Sequence, residues 1–564
     1  MLSKESEIRL SALVGWGSAI VALLVTDRIS ADPVNVSKML ALLIVSGAIL
    51  GLMVSKIGSL VRNQKLVFFL TLGFFLSLLI SVLVSGNPWE RGIFGAYGRN
   101  TGSLTYLGLC ILLFAVTTIR DESNVYRIIR AFMFVGFANI IYNLLVISGT
   151  DIFMWQNPYG KPIGTFGNPN FISSFMGMYA TALLAILLFS LNSTKLRAFY
   201  IFQIPLSTYI IYKSGALQGF LVLGLGFSIV LSFYLRSRLK SLRFLAVYGV
   251  LTLSSGLVAI AGMLQKGPLS SILYKPSVSF RGEYWSAGIN MGLDKPFFGQ
   301  GVDSYGTYYR LFRDPSALIS PGASTVTDTA HNVLIDIFSG SGFFGLSFYV
   351  AIMALAVVRS VRYILRSKDV DANFVVLFTV WICYQAQSII SINQIGLAVW
   401  GWVFSGLLIG YPSIVRKDKP ISVSIKGVGR KSKKKEKPEP NVVSAGVALS
   451  VVAGAVVGGL IALPAFLTDA QFRSAIAKSD AELVIAQASA FPMDTIRMNR
   501  AAVVLARGGL MQSAKDVATL ATVKYPDDFA GWIVLYESIA AADPQRSVVK
   551  AKLHQLDPLN PEWK

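Results

Sequence analysis

Leu66-Val67-Phe68-Phe69-Leu70-Thr71-Leu72-Gly73-Phe74-Phe75-Leu76-Ser77-Leu78-Leu79-Ile80-Ser81-Val82-Leu83-Val84 is a run without a single charge. A helix rises about 1.5 Å per residue, so this run reaches ~28 Å, close to the ~30 Å hydrocarbon core of a bilayer. Twelve further apolar stretches accompany it, at about 10–26, 37–54, 103–119, 128–148, 170–190, 198–212, 216–235, 243–264, 332–357, 372–392, 395–413 and 443–466. Composition agrees: 14% of the 564 residues are charged and mean hydropathy is +0.59, whereas a soluble chain carries about 25% charge. The pattern predicts an all-α polytopic membrane protein, with about twelve core spans, one further span and a helical C-terminal segment.

Positive charge sets the orientation. With the N-terminus in the cytoplasm, the inner segments hold Lys56, Arg62 and Lys65, then Arg120, Arg127 and Arg130, then Lys195 and Arg197. Arg236, Arg238, Lys240 and Arg243 follow, and after them Arg359, Arg362, Arg366 and Lys368. This asymmetry puts the C-terminus outside. The first stretch, Leu10–Val25, lacks an A-x-A-like cleavage signal and reads as a retained helix. The basic tract Gly429–Lys437 reads as a topogenic linker drawn to anionic membrane lipids, so the net charge of +21 does not imply nucleic acid. The chain therefore divides into a membrane domain (1–413), a basic cytoplasmic linker (414–442), an additional span (443–466) and an outer helical domain (467–564).

Three outer segments are long and polar: Ser85–Gly102, Gly149–Pro169 and Gln265–Ala330. The third exceeds a plain connection and predicts short helices lying over the bundle. In the C-terminal segment, Phe491-Pro492 and Tyr525-Pro526 stand 34 residues apart, the period of tetratricopeptide (TPR) repeats. Ala514 and Ala521 fall where paired helices need small residues, although Met498, Ala501 and Leu505 replace the usual Trp-Leu-Gly-Tyr pattern. An unrelated helical hairpin array fits the same spacing.

Cys110 and Cys383 both lie in apolar stretches, which leaves no disulfide framework, and two histidines, His331 and His554, are too few for a multi-His metal centre. The chain has no Walker A loop and no D-x-D in the outer loops. His331, in Thr329-Ala330-His331-Asn332 at the mouth of the tenth stretch, can exchange a proton near neutral pH, or serve structure alone. Gly342-Phe343-Phe344-Gly345 further along that stretch reads as small-residue packing against another helix. Arg281, in Arg281-Gly282-Glu283-Tyr284-Trp285, offers a fork suited to phosphate oxygens; pairing with Glu283 or stacking on a ring fits equally well. Arg91 and Arg99 lie in the first outer segment, and Asn170 is placed to cap the sixth span and turn that helix N-terminus outward, where it favours anions.

In order and loop placement, these pieces resemble the O-antigen ligase/polymerase family of membrane glycosyltransferases. They are Asn87-Pro88-Trp89-Glu90 with Gly98-Arg99-Asn100-Thr101-Gly102, then Gly164-Thr165-Phe166-Gly167-Asn168-Pro169-Asn170-Phe171. Arg281 to Trp285, Pro296-Phe297-Phe298-Gly299-Gln300-Gly301, His331-Asn332 and Gly342 to Gly345 complete the set, spanning roughly residues 65–410. The resemblance implies a GT-C-like bundle with a TPR-like appendage and a polyprenyl-diphosphate-linked glycan as donor. It further implies transfer to an acceptor hydroxyl on a glycan, lipid or protein, with no cofactor, nucleotide or metal. It assigns acceptor activation to His331 and diphosphate binding to Arg281 and other outer arginines. Around these it draws Arg99, Arg91, Asn168, Asn170, Glu283, Trp285 and Asn332 as substrate contacts. Many members carry Ser-Arg-Gly where this chain reads Tyr212-Lys213-Ser214-Gly215-Ala216-Leu217-Gln218-Gly219, so Lys213 and Gln218 are the candidates for the missing contact.

Three other readings compete. A protein O-oligosaccharyltransferase differs only in acceptor. A lipid-linked glycan flippase predicts inverted repeats around a midplane site, yet the polar residues gather at one face. A scaffold for envelope assembly would leave Arg281 and His331 replaceable; under the leading reading the C-terminal repeats offer a surface for a partner or an acceptor.

Overall fold

The computed structural model describes residues 2–190, 193–239, 241–274, 276–367, 370–414 and 445–564. The basic tract at 429–437 lies outside the described residues. A helix forms at each of the thirteen apolar stretches: α1 (Lys4–Leu23), α2 (Asn35–Met53), α3 (Lys65–Val84), α4 (Ser103–Val116), α5 (Glu122–Ile147), α6 (Pro169–Phe189), α7 (Thr194–Ser214), α8 (Leu217–Leu239) and α9 (Leu242–Met263). Two helices of the long connection follow, α10 (Pro276–Asp294) and α11 (Tyr305–Phe312), and then α12 (Val333–Arg366), α13 (Ala372–Ser388), α14 (Ile395–Gly410) and α15 (Ala445–Ala477). Among the described residues, ten helical stretches are long and apolar enough to cross a membrane; α4 is apolar but shorter, α13 has 17 residues, and α7 carries more polar residues. No strand occurs among the described residues.

Every residue of α14 is buried, which makes it the axis of the bundle. A helix apolar on all sides is stable only where neighbours surround it, and α4, α13, α1 and α12 pack on α14. Its Trp400 and Trp402 are almost fully enclosed, as is Trp381 of α13. α9 is the opposite case. It packs on α8 and exposes Val247, Val250, Leu251, Leu253 and Leu257, a surface suited to lipid rather than water.

α15 closes against α2 through facing glycines. A Cβ on Gly454 would lie 2.1 Å from the Gly47 carbonyl oxygen, and one on Gly458 2.0 Å from that of Leu43. Two helices lacking side chains along their contact approach closely enough for backbone dispersion to hold them in an apolar medium. α15 continues past residue 466 as one helix to Ala477 and delivers Phe472 into a second, separate core. That core joins α16 (Ala481–Ala488), α17 (Thr495–Arg507), α18 (Met511–Lys524), α19 (Phe529–Ser538) and α20 (Gln545–Leu556).

The connection between α9 and α12 holds one full-length helix, α10, rather than short helices alone. Its Tyr284, Ala287 and Met291 bury a small core with Tyr305, Tyr309 and Ala330. The segment after α10 is fixed by a break in α12. Gly342 has φ +64°, which releases two backbone positions: the Phe343 N–H donates to Pro296 O (2.7 Å), and the Gln300 N–H donates to Ser339 O (2.8 Å). Gly342 thus receives the turn at Pro296–Gly301, while Gly345 faces Ser77 of α3, the helix-on-helix approach that the sequence predicts.

Candidate active site

The three polar loops converge at one end of the bundle around a cavity of about 490 Å³. From the first loop comes Arg99, from the second Tyr159, Asn168 and Asn170, and from the third Asp303, Asp328 and His331; Asp336 of α12 completes the wall. Asn168, and not Asn170, caps α6: its side-chain oxygen accepts the Asn170 N–H (2.8 Å). Pro169 at the first helical position explains the offset, because its fixed φ suits that position and its missing N–H goes unneeded there. The Asn168 amide N–H donates in turn to the Tyr159 hydroxyl (3.0 Å).

His331 precedes the α12 cap, Asn332, whose side-chain oxygen accepts from the N–H groups of Leu334 (3.0 Å) and Ile335 (3.3 Å). The His331 backbone sits at φ +52°, a region L-residues avoid at about 1–3 kcal/mol. Its neighbours hold it there. The His331 N–H donates to the Thr329 hydroxyl (3.0 Å), and Asp336 accepts the Ala330 N–H (2.7 Å). The imidazole lies 5.8 Å from the Tyr284 ring, tilted by 32°. Burial, with the positive charges of Arg281 and Arg99, pushes its pKa down to about 4 against an opposing pull from Asp328. It is therefore neutral at pH 7, with a ring nitrogen free to accept a proton.

A smaller chamber of about 230 Å³ adjoins the cavity and shares Tyr159, Asn168 and Asn170 with it. Arg281, Lys161 and Gln218 line it, together with Ser214, Gly215 and the first turn of α8. Among the described residues, no Asp or Glu lines this chamber. Arg281 is not paired with Glu283, whose carboxylate accepts from the Ser316 hydroxyl (2.8 Å) instead. Burial pushes the Arg281 guanidinium down to about 10, with Tyr284 opposing, so it remains charged.

The sequence candidates thus separate. His331 and Arg99 line the cavity, Arg281 and Gln218 the chamber, and Asn168 and Asn170 both. Arg99 is already engaged, with Asp303 in an ion pair and with Asp328 at 3.6 Å. Arg91 faces away from both spaces. It bonds Thr307, reaches Asp528 at 3.3 Å, and lies 5.3 Å from the Tyr525 ring, so its partners come from α11 and the C-terminal helices. Lys213 lies on the exposed side of α7, 5.6 Å from the Tyr209 ring. Asn332 is occupied in capping, Glu283 with Ser316, and Trp285 packs against the tyrosine core.

Several lining residues carried no sequence signal. Lys161, Asp303, Asp328 and Asp336 belong to no motif, and Gln394, whose side-chain oxygen caps α14, leaves an amide nitrogen without a partner beside the cavity.

Fold and site together define an all-α polytopic membrane protein with a polar cavity beneath a loop roof at one end of its bundle. Residues 202–350 match the family model described as O-Antigen ligase, about a quarter of the chain, running from α7 into α12 and containing both Arg281 and His331. The match supports placement in the O-antigen ligase/polymerase family, and with it a general role in membrane glycan transfer. No curated protein matches the chain.

Proposed function

We propose that this protein transfers a glycan from a polyprenyl-diphosphate carrier to an acceptor hydroxyl at the outer face of a bacterial cytoplasmic membrane. The observation that carries the reading is the separation of charge. The chamber offers Arg281 with no acid among the described residues of its wall, while the adjoining cavity offers a neutral imidazole among carboxylates and amides suited to sugar hydroxyls. Donor diphosphate fits the first space and acceptor the second.

In this mechanism His331 takes the acceptor hydroxyl proton as the oxygen attacks the anomeric carbon. The new C–O bond forms while the bond to the diphosphate oxygen breaks, and that oxygen leaves with the electron pair. Arg281 meets the charge developing on it. Direct attack inverts the anomeric carbon. The lipid diphosphate is itself the activated leaving group, so the reading calls on neither nucleotide nor metal. The Lys/Arg asymmetry supports the outward orientation of the cavity. The bundle is read as GT-C-like, and the C-terminal helices as a TPR-like layer that recruits an acceptor or a protein partner. Ligase, polymerase and protein O-oligosaccharyltransferase differ only in what occupies the cavity.

His331→Ala tests the reading. The variant should lose transfer by about 10²-fold or more, the scale of a missing general base, while binding polyprenyl diphosphate as the parent does. Transfer at parental rates would remove His331 from the chemistry.

A further inference from the structure

We infer that Lys161, from the loop between α5 and α6, is the second cation that holds the donor diphosphate; the assignment rests on the glycan-transfer reading above. Lys161 lines the chamber against the element on which the sequence places a cation, the α7–α8 turn. That turn bends through Gly215 at φ +66°, and a Cβ there would lie 2.8 Å from the Lys161 ammonium. The ammonium therefore rests directly over the turn, and the absence of a side chain at 215 makes room for it. Lys213, two residues earlier, is turned to the exposed face of α7.

A second, independent feature points to an anion in the same space. Gln218 is 3% exposed, lines the chamber, and has a side-chain oxygen without a partner. Its amide nitrogen donates to the Gln387 side-chain oxygen at 3.2 Å, which leaves the Gln387 amide nitrogen without a partner as well. Turning both amides over preserves the bond and frees the Gln218 N–H group for the chamber, an orientation that heavy-atom positions do not distinguish. An incoming phosphate oxygen selects that orientation. Leu217 and Gln218, the first turn of α8, lie on the same wall, and the first N–H groups of a helix lack intrahelical partners. A diphosphate seated here meets Arg281 from α10, Lys161 from the second loop and Gln218 from α8, three elements that line the one chamber.

The test uses the purified full-length protein with a polyprenyl diphosphate as probe and inorganic pyrophosphate as competitor. Lys161→Gln should weaken binding by about tenfold or more, the worth of one charge-assisted contact. Lys161→Arg should restore most of it, and Lys213→Gln should stay within about twofold of the parent. Unchanged binding in Lys161→Gln overturns the assignment, as does a loss in Lys213→Gln that Lys161→Gln lacks. If the parent itself binds no polyprenyl diphosphate, the glycan-transfer reading falls and takes the assignment with it.

Discussion

His331 combines three properties that seldom coincide by accident: a left-handed backbone, burial beside two arginines, and a place on the cavity wall. A general base acts in its deprotonated form. Because its pKa is depressed, the imidazole stays competent as pH falls through 6.5 and loses competence only near 4. The acid limb of kcat/KM should therefore fall near pH 4, and a limb near 6.5 would contradict the burial argument. With only His331 and His554 in the chain, a histidine NMR titration reads the same quantity directly. Arg281→Gln should raise the His331 value, since one of the charges depressing it is gone. His331 and Arg281 were legible in the sequence because each sits in a motif at a loop end. Arg91 was not, because its partner Asp528 lies 437 residues away, and nothing local distinguishes an arginine that binds ligand from one that binds another helix. Lys161 was missed for the converse reason: its loop carries no motif, and only the folded path brings it over Gly215.

The elements hold this site by clamping its roof. Asp557, just past α20, is fully enclosed and accepts from Arg313 (2.6 Å) and Arg310 (2.9 Å), while Phe529 of α19 lies under the Arg310 guanidinium at 4.2 Å. A second contact pairs Arg91 with Asp528, and Trp89 and Phe94 both pack on Phe491. Removing one member of a buried ion pair strands the others and costs about 3–5 kcal/mol. Asp557→Ala should therefore lower the thermal midpoint of the C-terminal helices and expose them to protease while the bundle stays resistant. A proteolysis pattern identical to the parent would show that the clamp is idle. The helices themselves were legible, since a bilayer demands about 20 apolar residues in a row and writes that demand into local sequence. The break at Gly342 was not. A glycine reads the same whether it admits a helix or changes direction, and here the Pro296–Gly301 segment decides.

At the scale of the molecule, one helix joins the bundle core to the C-terminal core. α15 is seated on α2 by facing glycines in the bundle and ends inside the C-terminal core, so the layer that clamps the roof is anchored to the bundle it covers. That arrangement suits an enzyme working on a substrate half in lipid: the exposed face of α9 meets the bilayer, and Met263 at its end lines the chamber beside Arg281. The proposed mechanism requires a glycosidic bond to form in the roofed cavity. The most direct measurement is reconstitution in liposomes with a polyprenyl-diphosphate glycan and an acceptor, without nucleotide, followed by linkage analysis and detection of the freed polyprenyl diphosphate. Transfer should yield a new, inverted glycosidic bond and one freed carrier for each glycan moved. Glycan that crosses the bilayer still attached to its carrier, with no new bond, would contradict it.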